Sequence, residues 1–296
     1  MIDRRVERSQ RLRMALIFGG RSGEHDVSVV SARSVANALD GDRYDIVPMA
    51  IDRCGRWADA ETSNRVLRSS GDRTDAVVRF TGSAGLDPRL SDGGIDVAFP
   101  VLHGPYGEDG TIQGLFEMLD LPYVGCDHAA SAVCMDKALT KRLVIQAGLP
   151  TVKWCDLTAS QWRDDRPEMR QRCLDLGSPL FVKPARLGSA VGISRVTRSS
   201  DLDAAIDRAL EHDERIVVER GLDAREIEIA VLGADHPRAA EPGEVSPGHD
   251  FYDYEDKYLD ESCELLAPAP LEAGQNRAVK RLAIDVFKTL GCHGAD

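Results

Sequence analysis

The sequence lacks the features that mark membrane, secreted and zinc-binding proteins. No apolar run approaches the roughly 18 residues that a membrane helix needs, and residues 1–13 are charged, without the apolar centre of a secretion signal. The seven cysteines include no Cys-x-x-Cys pair, so neither a zinc site nor a disulfide framework is suggested. We therefore expect a cytoplasmic protein whose cysteines are reduced thiols or small buried side chains.

The sequence also lacks internal repeats and low-complexity tracts, and its 37 basic residues are outnumbered by 49 acidic ones. The net charge of −12 argues against nucleic acid as a partner. With 296 residues, of which 43% are hydrophobic and 29% charged, the composition is that of an ordinary globular protein with room for two domains and a substantial core.

Strand and helix patterns alternate along the chain, which is typical of α/β proteins. An apolar strand over residues 14–18 ends in two glycines, and apolar residues near helical spacing follow. Residues 60–94 are polar and irregular, and we interpret them as a surface excursion. Further strands are predicted over residues 215–220 and 226–232, the latter as one strand with branched apolar side chains on one face.

A lysine at the end of a predicted strand precedes a loop of small residues, KPARLGSAVG, at 183–192. Gly188 and Gly192 can adopt backbone angles closed to other residues and let N–H groups approach an anion, while Lys183 supplies a point charge. The run is neither a Walker A loop nor a Rossmann fingerprint. By itself it is equally consistent with a phosphate clamp and with a plain hairpin turn.

Six segments, taken in order, resemble one family. They are residues 17–28 (IFGGRSGEHDVS), 102–110 (LHGPYGEDG), 135–137 (MDK), 183–192 (KPARLGSAVG), 218–222 (VERGL) and 251–258 (FYDYEDKY). Their order and spacing resemble the D-alanine:D-alanine ligases, which are ATP-grasp enzymes. The resemblance implies an α/β fold with an N-terminal parallel-sheet (pre-ATP-grasp) domain at 1–128, then an ATP-grasp fold whose lobes cover 129–214 and 215–296, the last lobe being incomplete.

The resemblance also implies an activity, the ATP-dependent joining of two D-alanines through an acyl phosphate for peptidoglycan precursor synthesis. The partners are then the small molecules D-alanine and ATP, with Mg²⁺ as cofactor, and a homodimer is left open. By resemblance, ATP is bound by the following residues: Lys137, Lys183, Gly188, Ser189, Ala190, Glu219, Arg220, Leu222, Glu226 and Lys257. From the residues alone, a lysine or a strand-end glutamate is more often a solvated surface charge.

For the amino-acid substrate, the resemblance implies that Glu24 holds the first D-alanine's ammonium in a catalytic set with Ser189 and Tyr258, and that His103 lies on the substrate side. Taken alone, Glu24 is a helix-start glutamate facing the dipole, and His103 a structural histidine. The aromatic segment at 251–258 resembles a lid that brings Lys257 and Tyr258 over the site, although its aromatics could instead pack on their own domain. The resemblance also implies an amide product, because tyrosine at 258 is the form found in the dipeptide-forming members of the family.

The sequence ends in GCHGAD at 291–296, where the family continues into an arginine and into magnesium-binding carboxylates and an asparagine. We expect no metal ligands before Asp296 and an inactive chain as given. Ala190, where many members have serine, is a smaller departure. Two alternatives stay open: another ATP-grasp carboxylate–amine ligase, and a truncated, non-catalytic nucleotide-binding form.

Overall fold

The computed structural model describes residues 11–69, 85–246 and 264–295. It divides into two compact units, Met1–His128 and Ala129–Asp296, each with its own sheets and hydrophobic core. None of the helices in the described ranges is long and apolar enough to cross a membrane.

The first unit is built on a three-stranded parallel sheet with the strand order β2-β1-β3. Its elements in chain order are β1 (Leu12–Gly19), α1 (His25–Ala38), β2 (Tyr44–Ile51), α2 (Ala60–Arg68), a 3-10 turn (Pro88–Leu90), β3 (Val97–Pro100) and α3 (Thr111–Met118). Central β1 is buried on both faces, with Ile17 in one apolar cluster and Phe18 in another. Burial on both faces explains its continuous apolar run, and the predicted strand–glycine–helix order is confirmed.

The irregular excursion predicted over residues 60–94 is wrong in part, because α2 occupies its beginning. Asp59 caps this helix by accepting a hydrogen bond from the Thr62 N–H at 2.7 Å. The buried face of α2 is formed by Thr62, Ser63 and Val66, so its pattern is too polar to be recognised as a core-facing helix.

The second unit is larger and holds three sheets in the described residues. Its helices are α4 (His128–Met135, which starts at the division), α5 (Lys137–Gln146), α6 (Ala159–Asp164), α7 (Arg166–Leu174), α8 (Leu202–Leu210) and α9 (Ala273–Thr289). Its strands are β4 (Trp154–Thr158), β5 (Leu180–Pro184), β6 (Ser194–Val196), β7 (Arg215–Arg220), β8 (Glu226–Glu228), β9 (Val231–Gly233), β10 (Arg238–Ala239), β11 (Gly243–Ser246), β12 (Glu264–Leu266) and β13 (Gly294–Ala295).

An antiparallel sheet with the order β4-β7-β5-β6 positions the candidate site. One face carries Leu180, Val182, Ile216 and Val218, which pack in the main apolar cluster of this unit together with residues of α6, α7 and α8. Because side chains alternate along a strand, the residues between them point to the opposite face. That opposite face is the one that carries the charged residues.

The single strand predicted over residues 226–232 is wrong. Its two ends are β8, which pairs with β11, and β9, which pairs with β10 and β13 in a different sheet. The alternating pattern continues across the break because Ile227 is half-buried in β8 and Val231 is buried in β9. A periodicity of two cannot show that the chain passes from one sheet to another.

Candidate functional site

The face of the antiparallel sheet that is turned away from its main core carries Lys183 and Glu219. In the strand register Phe181 lies opposite Glu219, so Lys183, two residues further along β5, is the diagonal neighbour of Glu219 on the same face. On the other side of β7, Trp154 lies opposite Glu219. The carboxylate is therefore flanked by the positions of two aromatic residues.

The Glu219 carboxylate accepts hydrogen bonds from the ammonium groups of two lysines. Its Oε2 lies 2.7 Å from Nζ of Lys183, and its Oε1 lies 2.7 Å from Nζ of Lys141 on α5. Burial favours the neutral acid, but the two ammonium groups outweigh it, and the pKa of Glu219 lies below its ordinary value. The carboxylate is thus ionised at neutral pH.

A third lysine, Lys137, is the first residue of α5, directly after the helix cap Asp136, which accepts from the backbone N–H groups of Ala138 and Leu139. The Lys137 ammonium donates to the carbonyl oxygen of Leu187 at 2.5 Å. Burial, together with the charge of Lys183, lowers the pKa of Lys137 to about 8. Because burial and the Lys183 charge both disfavour the charged form of Lys137, an anion bound beside these two ammonium groups would be stabilised by both of them.

The connection between β5 and β6, residues 185–193, passes Lys137. It is held at its start by Asp213, whose Oδ2 accepts from the Arg186 N–H at 2.9 Å and whose Oδ1 accepts from the Arg186 guanidinium at 2.5 Å. The backbone N–H of Lys137 donates to the carbonyl of Ala185 at 3.0 Å. The loop is therefore anchored at its base, and the two flanking strands are confirmed as an antiparallel pair.

The special backbone angles of this loop were expected at Gly188 and Gly192, and only Gly192 has one. Positive φ values occur at Ser189 (48°), Ala190 (57°) and Gly192 (72°), but not at Gly188. Two successive non-glycine residues in the left-handed region are costly, and such conformations concentrate where N–H groups are presented to a ligand. At Gly192 an added Cβ would lie 2.8 Å from Cγ of Pro184, so both the angle and the space require glycine.

The residues expected to contact adenine and ribose follow Glu219 along the chain. Arg220 ends β7, and its N–H donates to the carbonyl of Lys153 at 2.9 Å. Leu222 is 61% exposed in the segment that follows, and Glu226 begins β8 with an exposed side chain. An exposed leucine beside a strand end offers an apolar surface to a planar ligand.

Glu24 and His103 come together in the first unit. Glu24 occupies the N-cap position of α1 and is 8% exposed. Its Oε2 lies 2.9 Å from the point that a Cβ on Gly104 would occupy, so only glycine at 104 lets the carboxylate approach the backbone beside His103. The nearby carboxylate of Glu108, with help from the charge of Glu24, raises the pKa of His103 against the opposing effect of burial.

Glu108 is a hydrogen-bond partner of the backbone of this turn. Its Oε2 accepts from the Gly104 N–H at 2.8 Å, while Oε1 lies 3.7 Å from Nδ1 of His103. On its other side, Nε2 of His103 lies 3.2 Å from Oγ of Ser31 on α1. A cavity of about 190 Å³, lined in part by His103 and Tyr106, opens next to the turn.

Lys257 and Tyr258 lie outside the described residues. Within residues 11–69, 85–246 and 264–295, no group of three or more His, Cys, Asp or Glu side chains could hold a metal ion. The described side chains therefore do not fit Mg²⁺ by themselves.

Comparison with known families covers almost the whole chain. The model described as "D-ala D-ala ligase N-terminus" matches residues 13–126, and "D-ala D-ala ligase C-terminus" matches residues 143–296. The chain belongs to the D-alanine–D-alanine ligase family. The family and the α/β fold expected from the six motifs are thereby confirmed for this ligase.

Named relatives agree with this assignment. The ligase is 42% identical over 295 residues to the D-alanine–D-alanine ligase of Chlorobaculum parvum, covering 95% of the chain and 81% of that protein. It is similar in structure to the VanG D-Ala:D-Ser ligase from Enterococcus faecalis, with a TM-score of 0.79, 35% identity and coverage of 97% and 84% of the two chains. The D-alanine–D-alanine ligase from Coxiella burnetii gives a TM-score of 0.78 at 33% identity, covering 96% of this chain and 79% of that one.

Three residues of the candidate site were missed from the sequence. Lys141 is four residues after Lys137, the spacing that places two side chains on one face of a helix, so the signal was present. Asp213 and Arg186 are 27 residues apart, and nothing local marks the pair that anchors the loop.

Proposed function

We propose that the chain joins two molecules of D-alanine into D-alanyl-D-alanine at the expense of ATP. Family membership supports this activity together with the use of ATP and Mg²⁺. The observation that carries the placement of ATP is the pair of lysines Lys137 and Lys183 beside an anchored loop of left-handed residues, with Lys183 also paired to the ionised carboxylate of Glu219. These two half-buried ammonium groups are suited to a polyphosphate.

In this proposal the triphosphate replaces two internal contacts. Lys183 turns from Glu219 to a phosphate, and Lys137 turns from the Leu187 carbonyl to another, while backbone N–H groups of residues 188–192 cover the terminal phosphate. Glu219 and the main chain at Arg220 and Leu222 contact the adenine, and Glu226 contacts the ribose.

The reaction proceeds through an acyl phosphate. A carboxylate oxygen of the first D-alanine attacks the γ-phosphorus of ATP, the bond to the β-phosphate oxygen breaks, and ADP leaves. The amine of the second D-alanine, having lost a proton, attacks the acyl carbon. The tetrahedral intermediate then expels inorganic phosphate, which takes the second proton of the attacking nitrogen, and leaves an amide. In our proposal Glu24 holds the first ammonium, Ser189 and Tyr258 relay the proton, His103 lies beside the first substrate, and Lys257 reaches in with the lid.

The test is phosphate release from ATP by protein expressed from its full reading frame, with D-alanine, D-serine, D-lactate or L-alanine as second substrate and the product mass measured. We expect D-alanine-dependent release and D-alanyl-D-alanine as product. D-Serine is the alternative second substrate that this panel must distinguish from D-alanine, because the similar VanG structure is named a D-Ala:D-Ser ligase. A preference for L-alanine would instead favour a different ATP-grasp carboxylate–amine ligase.

Three further assignments stay proposals. We propose a cytoplasmic location because the reaction consumes ATP, and cell fractionation tests it. A homodimer is tested by light scattering of the purified protein. The domain division after residues 128 and 214 is tested by limited proteolysis. The second boundary is the one to watch, because β7, which begins just after it, pairs with both β4 and β5.

A further inference from the structure

Lys141 occupies a position that the proposed reaction does not explain. Its side chain is only 13% exposed, and its ammonium lies 2.7 Å from Oε1 of Glu219 and 3.1 Å from Oγ1 of Thr151. Taking a lysine side chain this far out of water is unfavourable unless the ammonium is paired. The contact with Glu219 supplies this pairing. A lysine on the open surface would stay solvated without such a partner, so the position of Lys141 requires an explanation.

The two lysines on Glu219 differ in what else they can reach. Lys183 lies at the end of β5, where the loop of residues 185–193 begins. Lys141 lies one helical turn beyond Lys137, against the Glu219 end of the sheet, and its other partner is Thr151 rather than the loop. A triphosphate over the loop therefore recruits Lys183 and leaves Lys141 where it is.

We propose that Lys141 is a positioning residue for nucleobase recognition: it keeps the Glu219 carboxylate fixed and ionised at the edge of the sheet after Lys183 has turned to the phosphates. A carboxylate held in this way accepts a hydrogen bond from an exocyclic amino group and disfavours a carbonyl at the same position. Lys141 thus selects adenine over a 6-oxopurine without contacting the base. This inference rests on the proposed binding of ATP at this site.

The test compares ATP, ITP and inorganic tripolyphosphate as ligands of the wild-type protein and of Lys141→Gln, with dissociation constants from calorimetry. We expect the wild type to prefer ATP over ITP, and the variant to lose at least about tenfold of that preference, the range expected for a hydrogen bond to a charged group. Tripolyphosphate affinity should change by less than about twofold, because the phosphate lysines are untouched. Lys141→Arg, which keeps the charge, should restore most of the preference.

Lys153→Gln is the matched control, since Lys153 is exposed and only its main-chain carbonyl contacts β7. It should leave all three affinities unchanged. If Lys141→Gln weakens ATP and tripolyphosphate by the same factor, Lys141 supports the fold or the phosphates, and the positioning role is overturned. An unchanged ATP-to-ITP ratio overturns it as well. If wild-type protein binds neither ATP nor tripolyphosphate, the proposed function has failed instead.

Discussion

The low pKa of Lys137 predicts that nucleotide affinity falls as the pH rises through about 8. Burial and the charge of Lys183 lower this pKa, while Glu219, Asp213 and Asp136 act in the opposite direction without restoring it. A bound phosphate adds a close negative charge and should return the pKa to its ordinary value of about 10.5. Binding of ATP above pH 8 therefore requires uptake of a proton.

The size of the effect follows from the two pKa values. For one group that titrates at about 8 when free and at about 10.5 when phosphate is bound, the dissociation constant rises by about 30-fold between pH 7 and pH 9.5. Whereas the affinity for ATP falls as the pH rises, the free energy of unfolding changes in the opposite direction. Because the folded-state pKa lies below the unfolded value, the contribution of Lys137 to the free energy of unfolding increases between about pH 8 and 10.5.

Calorimetric titration with ATP in buffers of different ionisation enthalpy measures both the affinity and the protons taken up. Lys137→Arg provides the control, because a guanidinium stays charged throughout this range. The variant should bind with a nearly flat pH profile and take up no proton at pH 8.5. The reasoning is refuted if wild type and Lys137→Arg show the same pH dependence, since the titrating group would then lie elsewhere.

Four other substitutions test separate parts of the structure. Lys183→Met should weaken ATP by roughly 10- to 100-fold in calorimetry while thermal unfolding stays cooperative; unchanged affinity would contradict its phosphate role. Glu24→Gln should raise the KM for the first D-alanine far more than the Kd for ATP, and an equal rise in both would argue against its contact with the ammonium. Gly192→Ala should lower nucleotide affinity, because the left-handed backbone and Pro184 both oppose a Cβ, and a fully active variant would show that the loop angle is not needed. Trp162→Phe should cost about 1–3 kcal/mol in urea unfolding, because it removes a 2.6 Å bond to Asp207 and leaves a cavity; a change below about 0.5 kcal/mol would show that the site repacks.

The sequence by itself determined the parts whose signal is local. The apolar run of β1, its glycine turn and the start of α1 follow from patterns a few residues long, and the structure confirms them. The strands on either side of the Lys183 loop are recognisable for the same reason. The order of six motifs also determined the family, because several short patterns in fixed order are far more specific than one.

Only the tertiary structure decided which charges meet. Glu219 is joined to Lys141 on a helix and to Lys183 on a neighbouring strand, and Asp213 to Arg186, through a register that no single segment encodes. The same is true of the break between β8 and β9, whose alternation continues although the pairing partners change. Periodicity reports which face of an element is apolar, whereas hydrogen-bond partners and pKa values depend on which elements pack together, and that choice is made by the whole chain.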